Sequence, residues 1–335
     1  MKMSIENSHL LHPQSSLKHI ISVIVLSKNN AKTIGKTLNS VLSAKLKNGY
    51  QLEVVVVDAK SQDGTERILK TFKNKIKVIY DEGKGIGIAR NIGVKYSKGD
   101  IICFVDGDCI IGDEHFIRII ETFRDPSIGI IDVRGDIYME KMSKIQSLEF
   151  KIWKYGRAYS DKLIKDRTFA GGAFIAFRRK VFDDIGGFWE YPPYGGDDMD
   201  FSFRAKTKGY KITVIHCKNS VSIPRDNLRD LIKQQIGWGR GYIHLVTKYL
   251  HNTAFWESMK YNKYIYKIFK KNVWLYAIMR LILAPLGAIR LTLHTREAEL
   301  LPYWIIRRYA FLYGVLTDMK KSFKKLNENI NKTLF

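Results

Sequence analysis

The chain has 335 residues, enough for about two domains or one large domain with an appendage. Hydrophobic residues make up 45% and charged residues 27%, which excludes whole-chain disorder, and three cysteines without a CxxC exclude a disulfide framework or an all-cysteine zinc site and point to a reducing compartment. The formal net charge is +23, of which +13 lies from Pro224 onward, so a polyanion is expected as partner: nucleic acid, anionic lipid or phosphate groups.

Residues 1–19 are polar with no apolar h-region, so they are expected as a poorly ordered extension and not as a secretory signal. Strand and helix then alternate. Ile20 to Leu26 is a β-branched apolar run and predicts a buried strand. Ala31 to Ala44 carries Ile34, Leu38, Val41 and Leu42 at helical spacing. Glu53 to Val57 predicts a second strand ending in Asp58, followed by a turn and a helix from Glu66 to Phe72. Ile76 to Tyr80 is strand three, GKGIGIARN opens a helix running to about Tyr96, and Ile101 to Val105 is strand four, ending in Asp106. This alternation without hairpin signals predicts a doubly wound α/β domain with a mostly parallel sheet. Further on, strands are expected at Ile128–Val133 and Ala173–Phe177. Helices are expected at Lys144–Lys165, Asp198–Lys208 and Asn227–Leu250, the last weakened at its centre by Gly237, Gly239 and Gly241.

In open parallel sheets, ligands sit beyond the carboxyl ends of the strands. Three polar clusters fall there: Ser27–Asn29, Asp58–Asp63 and Asp106–Asp108. Asp63 reads as a turn and helix cap. Asp106 and Asp108 lie one residue apart after a buried strand and would repel without a counter-charge. Hard oxygen ligands of this kind suit Mg2+ or Mn2+ shared with substrate phosphates. GKGIGIARN lacks the third glycine of a dinucleotide fingerprint, but it offers a helix start with Lys84 and Arg90 as charges for an anion. Asp197, Asp198 and Asp200 at a helix start either complement the helix dipole or include a general base.

Five blocks in order, VIVLSKNNAKTIGKTLNSVL, EVVVVDAKSQDGT, GKGIGIARNIGVKYSKGDIICFVDGD, GGAFIAFRRKVFDDIGGFWE and GGDDMDFSFRAKTKGY, resemble inverting family 2 glycosyltransferases with the GT-A fold. The resemblance covers about residues 20–245 and implies a nucleotide-sugar half (20–110) and an acceptor half (111–245), followed by a basic amphipathic helical tail (246–335). It implies donor contacts from Leu26, Ser27, Asn29, Asp58 and Asp106, to which Lys84 and Arg90 at the helix start would add their charges, a metal (Mn2+ or Mg2+) on Asp108, and Asp198 as catalytic base. Gly171, Gly172, Asp197 and Trp238 would face the acceptor, with Asp197 standing where the family usually has glutamate. Ala59 replaces a second aspartate after strand two. Val221-Ser222-Ile223 stands where many members place a metal-binding histidine, with His216 nearby. Gln234-Gln235-Ile236-Gly237-Trp238 lacks the arginine of processive members, which implies transfer of one sugar.

Val273–Leu293 is long and apolar but carries Arg280, Pro285 and Arg290. Leu301–Leu316 is short and rich in Trp and Tyr, and four lysines follow it. The two segments are expected to lie on the cytoplasmic face of a membrane, peripheral or partly embedded, presenting a polyprenyl-linked or glycan acceptor; the alternative is a pair of core helices in a C-terminal subdomain with a solvated lysine face. The alternatives are a nucleotidyltransferase, which lacks its usual glycine-rich signature here, and a nucleic-acid-binding protein, which lacks aromatics interleaved with basics on a sheet.

Overall fold

The computed structural model describes residues 19–136, 141–163, 169–191, 194–258 and 273–333. The expected extension therefore lies outside the described residues, except for His19. The first half follows the predicted alternation: β1 (His19–Ser27), α1 (Ile34–Ser43), β2 (Tyr50–Asp58), α2 (Thr65–Thr71), β3 (Lys77–Tyr80), α3 (Ile86–Lys95) and β4 (Ile101–Asp106). The second half adds β5 (Cys109–Ile110), α4 (His115–Thr122), β6 (Ile128–Asp136), α5 (Lys144–Leu163), β7 (Ile175–Arg178), α6 (Arg179–Ile185), α7 (Asp197–Thr207), β8 (Lys211–Ser222), α8 (Leu228–Lys248) and α9 (Thr253–Ser258). Two long helices close the chain, α10 (Val273–Thr295) and α11 (Leu300–Thr333).

The eight strands form one sheet in the order β3-β2-β1-β4-β7-β6-β8-β5. The β3-β2-β1-β4 part is parallel, so Ser27, Asp58 and Asp106 end at one rim. The sheet is mixed beyond it, because β7 runs antiparallel to both β4 and β6. Both faces of the parallel part are covered, and the strands accordingly read as continuous β-branched runs. Ile21, Val23, Val25, Val54 and Val56 pack on one side with Leu38 and Phe116. Ile24, Val55, Val57, Phe104 and Phe177 pack on the other with Phe188 and Phe201. Each fully buried side chain of this size contributes about 1.5–3 kcal/mol. Cys103, Cys109 and Cys217 are free thiols within the first of these clusters.

Three elements depart from the sequence expectation. Residues 172–174 form a 3-10 turn, so the strand expected from Ala173 starts at Ile175. The twelve-residue strand β8 opens on the β-branched run Ile212–Ile215 but continues through the polar residues Lys218, Asn219 and Ser220, so its full length is not announced by the sequence pattern. Helix α8 runs unbroken through Gly237, Gly239 and Gly241. Two of these glycines are sites of close approach: a Cβ at Gly239 would lie 2.0 Å from the Phe311 carbonyl oxygen, and one at Gly241 would lie 2.6 Å from that of Gly195.

Helix α8 crosses residue 245, where the sequence suggests a boundary, and α11 packs along it. Val315 and Met319 share an apolar cluster with Ile243 and Val246, and Leu300 and Tyr303 share another with Leu148 and Leu231. Polar pairs pin the same seam: His244 Nε2 lies 3.1 Å from Asp318 Oδ2, and the Thr247 and Ser322 hydroxyls are hydrogen-bonded. The outer face of α10 leaves Leu281, Ile282, Leu283, Leu286, Ile289 and Leu293 exposed. Among the described residues no helix is long and apolar enough to cross a membrane.

This packing makes two stability effects measurable. Gly239→Ala should lower stability by roughly 1–3 kcal/mol, read as a lower denaturant midpoint, because the added methyl overpacks the α8–α11 contact. His115 is buried with its Nδ1 3.0 Å from Ser220 Oγ, and burial pushes its pKa down to about 3. The unfolded imidazole takes up its proton near pH 6.5, so this contribution is complete above that pH and is lost as the pH falls toward 3. The melting temperature of the parent chain should therefore drop more steeply between pH 7 and pH 5 than that of His115→Asn.

Candidate functional site

A cleft of about 350 Å³ opens at the carboxyl rim of the parallel strands. Its walls come from the ends of β1 and β4 and from the start of α3: Leu26, Ser27, Asp106 and Asp108 on the strand side, Gly85, Ile86 and Arg90 on the helix side. Lys28, Asn30, Asp81 and Arg225 also line it. Helix α3 has no acidic residue in its first turn, so its free N–H groups meet the cleft without a competing carboxylate. Ser27 Oγ and Arg90 Nε are buried and have no hydrogen-bond partner. Unsatisfied buried donors at a cleft wall are costly unless something fills them.

The Asp-Gly-Asp turn is fixed from behind. Gly107 donates its N–H to the Leu26 carbonyl at 2.9 Å, and its own carbonyl accepts the Thr33 and Thr37 hydroxyls at 2.8 and 3.1 Å. A Cβ at Gly107 would lie 2.9 Å from Asn30 Oδ1 and 3.0 Å from the Leu26 carbonyl oxygen, so a larger residue there would push on its neighbours. The pinned turn leaves both flanking carboxylates on the cleft. Burial pushes the Asp106 carboxyl up to about 7, with Asp108 adding to the rise and Arg90 opposing it. Burial likewise raises Asp108, against the pull of Arg225, whose Nη1 stands 3.1 Å from Asp108 Oδ2. The pair is short of positive charge, and that environment suits a divalent cation or a cationic group brought by a ligand.

Arg90 joins the cleft to the acidic start of α7. It is buried and hydrogen-bonded to Asp197, itself buried. Burial alone would lower the Arg90 pKa, but Asp197, Asp198 and Asp106 together hold it above its ordinary value. Burial also pushes Asp197 up, with Arg90 opposing. Gly172 admits the guanidinium, since a Cβ there would lie 2.0 Å from Arg90 Nη2. Asp198 is only partly buried. Its Oδ2 accepts the Gly172 N–H at 2.9 Å and its Oδ1 accepts the Met199 N–H at 2.8 Å, which fixes the carboxylate at the helix start. Asp200 instead ties α7 to α8, accepting from Arg204 and Tyr249, each at 2.7 Å, and from Lys248.

The structure thus brings Leu26, Ser27, Asp106, Asp108 and Arg90 to one cleft and Asp198 within electrostatic reach of it. It moves other expected residues elsewhere. Lys84 points to solvent and pairs with Glu82, so it is not a cleft cation. Asn29 is exposed and accepts the Gln62 N–H, clamping one loop to the next, while Asn30 takes the cleft wall. Asp58 is fully buried with both oxygens on Ser61, an Asx-type turn, and is not among the lining residues. Asp63 caps, accepting from Ala31 and Thr65. Asp197 is sealed on Arg90 and does not face an acceptor. Gly171 donates to Asp132 Oδ1 at 3.1 Å. Trp238, 42% exposed, borders a different cavity. His216 is an exposed strand residue, and among the described residues no group of three or more His, Cys, Asp or Glu side chains could hold a metal. Arg225 and Asp81 escaped sequence reasoning. Asp81 directly follows strand three and could have been found by the same rim rule, whereas Arg225 lies in the loop after β8 and its partner Asp108 is far away in sequence.

Residues 22–186 match the family model for glycosyl transferase family 2. The chain is 30% identical over 237 residues to the glycosyltransferase AglE of Haloferax volcanii, covering 67% of this chain and 73% of that protein. It is 24% identical over 233 residues to the poly-beta-1,6-N-acetyl-D-glucosamine synthase of Staphylococcus aureus, covering 66% of this chain but only 54% of that protein. Among solved structures, the mannosyltransferase PcManGT of Pyrobaculum calidifontis, in complex with GDP-Man and Mn2+, superposes with a TM-score of 0.61 at 17% identity, over 89% of this chain and 86% of that one. That likeness extends the GT-A-like mixed sheet with flanking helices into the C-terminal helices. Given the family-model match and the extended identity to AglE, this chain belongs to glycosyl transferase family 2.

Proposed function

We propose that this glycosyltransferase moves one sugar from a nucleotide-diphosphate donor to an acceptor hydroxyl with inversion at the anomeric carbon. The observation that carries the reading is the single cleft that places Asp106 and Asp108 beside the start of α3, with Arg90 linking it to Asp198. In this reading Lys28, Asn30 and Asp81 on the cleft wall meet the nucleoside, and the α3 amides and the unpartnered Ser27 Oγ meet phosphate oxygens. Asp198, held by two backbone amides, takes the acceptor proton as the new C–O bond forms and the bond to the diphosphate breaks. Arg90 orients Asp197 and, through Gly172, the loop that positions Asp198.

The charge-poor pair Asp106 and Asp108 fits a divalent cation, Mg2+ or Mn2+, with Asp108 as the protein ligand and substrate phosphates completing the shell. Such an ion would neutralise the departing nucleoside diphosphate. The exposed apolar face of α10 supports a location on a membrane surface with a lipid-linked or growing-glycan acceptor.

Asp198→Asn should reduce transfer to a hydroxyl acceptor by about 100-fold or more at saturating donor, measured with radiolabelled nucleotide sugar, while donor binding is retained. A loss under tenfold would remove Asp198 from the base role. Asp108→Asn should abolish the extra thermal stabilisation that Mn2+ adds to a donor such as GDP-mannose or UDP-N-acetylglucosamine. Unchanged synergy between cation and donor in that variant would show that Asp108 does not hold the ion.

A further inference from the structure

A second cavity, of about 190 Å³, lies between α8 and α11 and is lined by Gln235, Trp238, Trp304, Arg307, Arg308 and Phe311. Four of these six residues lie on α11, beyond residues 22–186. Two guanidinium groups and an amide meet two indoles there, and none of the lining residues is acidic. Gln235 is 4% exposed and its Nε2 has no hydrogen-bond partner. A buried amide donor left unpaired costs about 1–3 kcal/mol, a cost that persists unless a ligand relieves it. The arginines are held in place: Arg307 Nε stands 2.9 Å from Glu149 Oε1, and the Arg308 guanidinium lies 4.3 Å over the Trp304 ring.

Helix α8 connects the cavity to the acidic start of α7. Trp238 lies three residues, less than one helical turn, before Gly241, whose backbone abuts Gly195 just ahead of Asp197 and Asp198. The other side of the cavity reaches α10. Trp304 Nε1 is 3.8 Å from where a Cβ of Gly287 would stand, and Leu286 and Ile289 beside it are exposed.

We propose that this cavity is a phosphoryl subsite for the acceptor, in which Arg307, Arg308 and the Gln235 amide hold a phosphate group and Trp238 and Trp304 cover the sugar or lipid portion next to it. The assignment rests on the glycosyltransferase reading above and adds the chemical class of the acceptor. Guanidinium donors and indole faces are the groups that recognise phosphate and an adjoining apolar or sugar surface. The same chemistry serves a lipid-linked phosphate or a soluble sugar phosphate. The apolar face of α10 makes the lipid-linked form the first to test.

The test is calorimetric titration of the full chain with farnesyl phosphate in detergent micelles, with farnesol in the same micelles as the uncharged control and with glucose 1-phosphate as the soluble probe. Binding of farnesyl phosphate but not farnesol supports a lipid-linked phosphate. Binding of glucose 1-phosphate supports the phosphoryl subsite without the lipid. Gln235→Leu removes the unpaired donor at nearly constant volume, so it should melt no lower than the parent yet bind the phosphate probe at least tenfold more weakly. Arg308→Gln should weaken the same probe similarly, and it carries the test if Gln235→Leu does not fold. If neither phosphate probe binds the parent chain, or if a folded variant binds as the parent does, the proposal is overturned. Titration of the parent with a nucleotide sugar and Mn2+ separates the two failures: donor binding without phosphate binding overturns this subsite and leaves the glycosyltransferase reading standing.

Discussion

The site depends on one constraint: several carboxylates, buried or half-buried, held close together with few cations to balance them. Asp106 and Asp108 share the end of β4, Asp197 and Asp198 begin α7, and Arg90 is the buried cation common to Asp106, Asp197 and Asp198. Burial raises the cost of the negative charge on Asp106, Asp108 and Asp197, so the arrangement stores a demand for positive charge at the mouth of the sheet. Arg225 meets part of it at Asp108. The rest is a ready place for a cation or for donors that arrive with a ligand. Gly107 and Gly172 make the crowding possible, since each stands where a methyl group would collide with a neighbour.

The sheet explains why these groups meet. Parallel strands end at one rim, and that rim collects Ser27 opposite Asp58, and Asp106 opposite Leu26, from three adjacent strands. The antiparallel insertion of β7 next to β4 then brings the loop of Gly171 and Gly172 against Arg90 and Asp198. A purely parallel sheet would leave that loop at the opposite rim. Mixed topology is thus what joins the two halves of the site.

The C-terminal helices add a second layer of organisation. α11 is locked to α8 by apolar clusters and by the His244–Asp318 and Thr247–Ser322 pairs. It supplies most of the second cavity, whereas the family match ends well before it. The basic excess from Pro224 onward is distributed accordingly. Arg307 and Arg308 border that cavity, while Lys320, Lys321 and Lys324 are exposed.

The amino-acid sequence by itself determined the alternating β and α elements of the first half, because continuous β-branched runs and 3.6-residue spacing are local signals. It also determined the positions of Asp106 and Asp108, which follow directly from the end of a buried strand. Only the tertiary structure decided which polar residues reach the cleft. Lys84 and Asn29 have the right chemistry in the right segments, but Glu82 and the Gln62 loop engage them. Arg90 and Asp197 are 107 positions apart and pair only because α3 and α7 meet behind Gly172. Arg225 reaches Asp108 from the loop after β8, far along the chain, a pairing that no local pattern encodes. Backbone pattern is written along the chain, whereas partnership between charges is settled by packing between distant segments.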